Sequence, residues 1–183
     1  MTGREKLLRR VGLKCADFAR QLSYHRALCD FKESRRLFFW ISMYNNAIDL
    51  AVLDWFHLFG YHNDDLHWKK VVNDINSFRG RLLSCLRFTQ NEWEDYRKTI
   101  KTYRDKDVAH IEVRPISHVP EMSDALKAAD IYYKEVLTEL KNYPDYAKWP
   151  VDLLVYHNDS LCQSKTIARA ACGVTADLVE KVH

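Results

Sequence analysis

The sequence predicts an all-α fold, an antiparallel helical bundle with extra helices at its C-terminal end. Three observations lead there. Only 5 Gly and 4 Pro punctuate 183 residues, too few turn formers for the many hairpins of a β protein. Apolar residues recur at three- and four-residue spacing through most of the chain, the period of a helix with one buried face. The composition is 47% apolar and 13% aromatic, ample for a large core and incompatible with general disorder. The length suits one domain over residues 1–183, in which 143–183 form a C-terminal extension of unassigned role.

The first helix is expected over 4–32, where Leu7, Leu8, Val11, Cys15, Phe18, Ala19 and Leu22 keep the helical interval. Residues 34–59 are the most apolar. Leu37, Trp40, Ile41, Tyr44, Ile48, Val52, Trp55 and Phe59 make a stripe with apolar flanks, the pattern of a central helix, and Gly60 reads as its C-cap. After a loop at 60–67, Asp65 is placed as the cap of a short helix over 66–75 and Ser77 as the cap of another over 78–88. Thr89 and Glu92 have the T-x-x-E form of a capping box, opening a helix that runs to about residue 111. Arg114-Pro115 and Val119-Pro120 mark a loop. A strongly periodic helix covers 122–143 and stops at Pro144. Helices at 149–157 and 160–172 follow, and Gly173 breaks the last stretch.

The apolar run at 37–60 approaches the length of a membrane span but carries Asn45, Asn46, Asp49, Asp54 and His57. Ionisable groups at the bilayer centre are costly, so a buried helix of a soluble bundle is expected, with no membrane partner. The N-terminal MTGREKLLRR lacks the apolar core of a signal peptide. The cysteines Cys15, Cys29, Cys85, Cys162 and Cys172 are odd in number and none are at CxxC spacing. Free thiols in a reducing cytoplasm are therefore expected.

The net charge of +3 is unevenly spread. Residues 1–36 hold ten basic and four acidic side chains, residues 69–106 ten and five, and residues 107–159 five and ten. The two basic segments either attract a polyanion or solvate helix faces.

Four constellations carry possible chemistry. His57, His62 and His67, with Asp64 and Asp65, offer donors that suit zinc or iron. Their H-x4-H-x4-H spacing matches no ligand pattern, so neither a metal nor a cofactor is expected. His67-Trp68 reads instead as a packing anchor. Asn45 and Asp49 lie four apart and share a helix face. They either support a site from behind or face solvent or a second subunit. A cysteine nucleophile finds no specific spacing to a histidine. The fourth is YRDKDVAH, residues 103–110, with Arg104 and His110 six steps apart. On a helix that leaves them about 120° apart and roughly 9 Å along the axis, able to border one groove. An always-charged planar donor near a titratable imidazole suits phosphate-ester chemistry. A helix C-terminus that uses Arg and His to neutralise its dipole has the same composition.

Arg104-Asp105 followed by Ala109-His110 resembles the R-polar-x(3–5)-H signature of the HEPN (higher eukaryotes and prokaryotes nucleotide-binding) superfamily. Residues 40–60 followed by His67-Trp68-Lys69-Lys70 resemble the first half of its abortive-infection, AbiU-type branch. The resemblance implies a helical bundle that forms a homodimer, with two Arg–His motifs meeting in one composite cleft. It implies a metal-independent endoribonuclease acting in phage defence or as a toxin, with an antitoxin protein as a possible partner. His110 would exchange the proton at the ribose 2′ hydroxyl or at the leaving oxygen, Arg104 would hold the scissile phosphate, and Asp105 would orient Arg104 or the facing His110. Tyr103, Asn45 and Asp49 would support the site, and Lys98, Lys101 and Lys106 would follow the RNA backbone. The alternative is a non-catalytic helical dimer that binds nucleic acid, a nucleotide or a partner protein.

Overall fold

A computed structural model describes residues 1–31, 37–108, 119–144 and 146–178. Among these residues every regular element is helical: α1 (Gly3–Cys29), α2 (Phe38–Phe59), α3 (Trp68–Val71), α4 (Ile75–Leu86), α5 (Gln90–Tyr103), α6 (Ser123–Leu140) and α7 (Leu153–Val174). A π-helical turn at Arg104–Val108 continues α5, and a 3₁₀ turn at Tyr146–Lys148 precedes α7. The all-α bundle expected from the sequence is the fold observed. Among the described residues no helix is long and apolar enough to cross a membrane.

The helix at the centre is α1, not α2. Its buried face takes in Leu8, Val11, Cys15, Phe18, Ala19 and Leu22, with Gly12, Ser23, His25 and Ala27 widening it. Small residues let neighbouring helices approach from several sides. At Gly12 the approach is close enough that a Cβ would lie 2.6 Å from the Trp149 ring. By contrast α2 is buried only from Ala47 onward, and Phe38, Phe39, Met43 and Leu50 remain exposed. The even apolarity of residues 37–60 hid this division into two halves.

Cross-helix bonds give the directions. Lys14 donates to Asp54 at 2.7 Å, and His25 Nδ1 lies 3.1 Å from the Tyr44 carbonyl oxygen, so α2 runs antiparallel to α1. Arg4 forks onto Glu139 at 2.7 and 2.6 Å while Arg26 reaches Ser123 at 2.9 Å, so α6 is antiparallel as well. The Ser23 and Ser160 hydroxyls meet at 2.7 Å. Together with the Gly12–Trp149 contact this makes α7 parallel to α1, an exception to the antiparallel plan. One apolar cluster runs through the bundle, with Trp55, Phe59, Phe78, Trp93 and Tyr132 in edge-on and stacked contact. Burial of each such side chain contributes about 1.5–3 kcal/mol.

Several boundaries differ from the sequence reading, each for a local reason. The short helix is only Trp68–Val71, capped by His67, whose Nδ1 accepts from the Lys69 amide at 3.2 Å. Asp65 is exposed and pairs with Lys70 instead. Asp74, not Ser77, caps α4, because its carboxylate takes the Ser77 amide at 3.0 Å and starts the helix before Ser77. The Thr89–Glu92 capping box is present as expected. The two helices expected after residue 149 are one, α7, which begins after Pro150 when Asp152 accepts from Leu154 and Val155. Residues 143–183 thus supply a helix that buries Leu153, His157, Ala168 and Cys172.

Gly60 does cap α2, donating its amide to the Phe56 carbonyl at 2.7 Å. Its φ of −79° lies outside the left-handed region that favours glycine. Space is the constraint: a Cβ there would sit 2.3 Å from Phe56 Cδ1 and 2.4 Å from the Phe56 carbonyl oxygen. The chain therefore turns tightly over the Phe56 ring and presents Tyr61 just beyond it.

Candidate functional site

Arg104 follows Trp93, Arg97 and Ile100 on the inward face of α5, at the helical interval that carries side chains onto α2. At Arg104 the backbone widens from α to π geometry, a distortion often found at functional sites. The guanidinium is 4.2 Å from the Phe56 ring centre and 4.8 Å from that of Tyr61. Its Nη2 donates to the Tyr61 hydroxyl at 2.7 Å. Stacking on aromatic faces suits arginine, whose flat ion is weakly hydrated. Nη2 also pairs with the Asp105 carboxylate, while Nε is buried without a hydrogen-bond partner.

Asp105 accepts from both Lys101 and Arg104. Burial alone would push its carboxyl up, but those hydrogen bonds and the two positive charges outweigh it and hold the group below the usual carboxylate range. The same contact raises the Lys101 ammonium. Tyr103, buried, donates to Asp49 Oδ1 at 2.9 Å. This ties the residue before Arg104 to the middle of α2.

Beside Arg104 a cleft of about 280 Å³ opens between α2, the following loop and α5. Phe56 and Tyr61, which hold the guanidinium, also form part of its wall, with Trp55, His62, Arg97, Lys98 and Lys101. Arg97 builds the cleft rather than lying free in it. It donates to the Phe59 and Gly60 carbonyls at 2.8 and 2.6 Å and to Glu94 at 2.6 Å, closing the C-terminus of α2 with a positive charge. His62 is held neutral further into acid than an ordinary imidazole, first by desolvation and then by the charges of Lys69 and Arg97.

The structure brings together Tyr103, Arg104, Asp105, Lys101 and Asp49. Lys98 is exposed on the cleft wall and Lys106 is exposed beyond the π turn. Asn45 is exposed on α2, while Asp49, one turn on, is half-buried against Tyr103. His110 lies outside the described residues. Sequence reasoning missed Phe56, Tyr61 and Arg97. Phe56 fell beside the apolar stripe, and Tyr61 stood in what read as a polar loop. The clue available was the α5 interval itself, which points Arg97 and Arg104 at the end of α2.

The histidine loop is divided between two arrangements. His57 Nδ1 lies 2.5 Å from Asp64, whereas His62 packs edge-on against His67 at 4.9 Å. Among the described residues no group of three or more His, Cys, Asp or Glu side chains is disposed to hold a metal ion. His67 is buried, and its packing beside Trp68 is that of the anchor expected. Of the thiols, Cys15 is fully buried and pushed well above its ordinary range by desolvation, and Cys29 lies 3.9 Å from His25 Nε2. In comparison with known proteins, no family model matches the chain, and no curated protein or solved structure is found similar to it.

Proposed function

We propose that this chain is a metal-independent endoribonuclease of HEPN type, active as a homodimer in the cytoplasm and serving in phage defence or as a toxin. The observation that carries the reading is Arg104, stacked on Phe56 and Tyr61 at a π-helical turn beside a cleft with Lys98 and Lys101 on its wall. In this reading the Arg104 guanidinium, aimed by Asp105, donates to a phosphate oxygen and neutralises charge that develops at phosphorus. His110 takes the proton from the ribose 2′ hydroxyl. The 2′ oxygen attacks phosphorus, the bond to the 5′ oxygen breaks, and a proton is delivered to that leaving oxygen. The products are a 2′,3′-cyclic phosphate and a 5′ hydroxyl, and the need for a 2′ hydroxyl selects RNA over DNA. Exposed Phe38, Phe39, Met43 and Leu50 on α2 support contact with a second copy, which would bring in a second Arg104 and His110.

The test is cleavage of single-stranded RNA in the presence of EDTA. Arg104→Ala and His110→Ala are each expected to lower cleavage by at least a hundredfold, with EDTA without effect on the wild type. Cleavage that persists in both variants overturns the reading. The pairing of Arg104 with Asp105 favours a second reading, a binding module in which this arginine only holds α5 against α2. In that case the chain expressed alone degrades no RNA and does not slow growth.

A further inference from the structure

We infer that Tyr61 is a stacking platform for a nucleobase, and that the cleft beside it receives the nucleotide next to the phosphate held by Arg104. The inference rests on the ribonuclease reading and names how that site grips its substrate.

Tyr61 is 49% exposed although its hydroxyl is fixed, the Arg104 guanidinium lies 4.8 Å from its ring centre and the Lys101 ammonium 6.0 Å from it. The hydroxyl accepts from Arg104 at 2.7 Å, and the ring meets the Phe56 ring edge-on at 5.0 Å. A ring so held costs little further ordering when a flat ligand settles on it. The tight turn at Gly60 over Phe56 leaves the ring at the mouth of the cleft rather than in the core. The cleft of about 280 Å³ has rings on its wall at Trp55, Phe56, Tyr61 and His62, and cations at Lys98 and Lys101. Rings for bases and cations for the backbone are the two components of single-strand recognition. Desolvation and the charges of Lys69 and Arg97 lower the His62 imidazole from its ordinary range, which favours a flat uncharged ring on the cleft wall with Tyr61.

The contact between Arg104 and Tyr61 sets the register. A phosphate on the guanidinium and a base on the phenol ring lie one nucleotide apart, because the two groups touch. Stacking accepts any base, since every base has a π-face, and the larger face of a purine gains more. The site therefore grips one base without reading its hydrogen-bonding edge, and purines are favoured beside the cleaved bond.

The experiment uses the full chain and two labelled oligonucleotides that resist cleavage. One is a 2′-O-methyl oligoadenylate and the other is its abasic counterpart with the same backbone, both followed by fluorescence anisotropy at fixed salt. Wild type is expected to bind the adenylate roughly tenfold more tightly than the abasic chain. Tyr61→Phe keeps that ratio, and Tyr61→Ala brings it close to one. Tyr61→Leu, which retains apolar bulk against Phe56, also brings it close to one and covers the case in which the alanine variant folds poorly. A wild-type ratio of one, or a ratio unchanged in Tyr61→Leu, overturns the platform while binding to both chains still supports a nucleic-acid site. Absence of binding to either oligonucleotide, with no cleavage of natural RNA, overturns the ribonuclease reading as well.

Discussion

At Arg104 one fixed charge meets three kinds of partner: two aromatic faces, a hydroxyl and a carboxylate. Each could have been foreseen as a type of contact, but only Asp105 is adjacent in sequence. In the proposed site Asp105 aims the guanidinium, so Asp105→Asn is expected to reduce RNA cleavage about tenfold, less than Arg104→Ala, in single-turnover assays at saturating protein. A second residue-scale prediction concerns pH. Desolvation first, then the nearby charges of His62, Arg97 and Lys69, push His67 down to about 3 from its ordinary 6.5. Within that window the unfolded chain binds a proton that the folded protein does not, so stability falls as the pH is lowered through it. Urea midpoints at pH 7.5 and pH 5 should therefore differ in the wild type. They should differ less in His67→Asn, which keeps an N-capping side chain but has nothing to titrate.

At the scale of elements, legibility depended on whether a signal was local. The capping box at Thr89 and Glu92 satisfies its amides within one turn, and it was correctly placed from four letters of sequence. The caps at His67 and Asp74 depended on which of several polar residues won. Histidine is an unusual N-cap, and Asp74 starts α4 earlier than a serine-based reading allowed. The π turn at Arg104–Val108 had no sequence signal, because widening a helix by one residue needs no proline or glycine. Gly60 caps α2 as expected, and a close approach to Phe56 rather than a left-handed backbone angle is what requires glycine there. Gly60→Ala is accordingly expected to destabilise the protein by about 1–3 kcal/mol, as overpacking against a fixed ring does, measured by chemical unfolding. It should also shift Tyr61 fluorescence, since the displaced Phe56 ring meets the Tyr61 ring edge-on.

For the whole molecule, the helical class and most helix positions followed from periodicity, while the identity of the central helix did not. Mean apolarity singled out residues 37–60, yet burial follows the number of faces covered. Gly12, Ala19 and Ala27 give α1 more usable faces than the bulkier side chains of α2. What the sequence left unread is what arises only in three dimensions, namely the meeting of the α2 terminus with Arg97 and Arg104. The proposed homodimer is tested by light scattering during size-exclusion chromatography, where a particle of two chains is expected. A monomer at micromolar concentration would remove the composite site from the reading.

The parallel pairing of α1 with α7 also has a consequence for the order of events in synthesis. The Ser23 and Ser160 hydroxyls that meet across this pair are separated by 137 residues of sequence. During synthesis α1 therefore has one flank bare until α7 is made, and its Gly12 notch waits for Trp149. A chain that stops before α7 lacks the Ser160 partner of Ser23 on α1. Any activity that depends on a closed bundle begins only when α7 is in place.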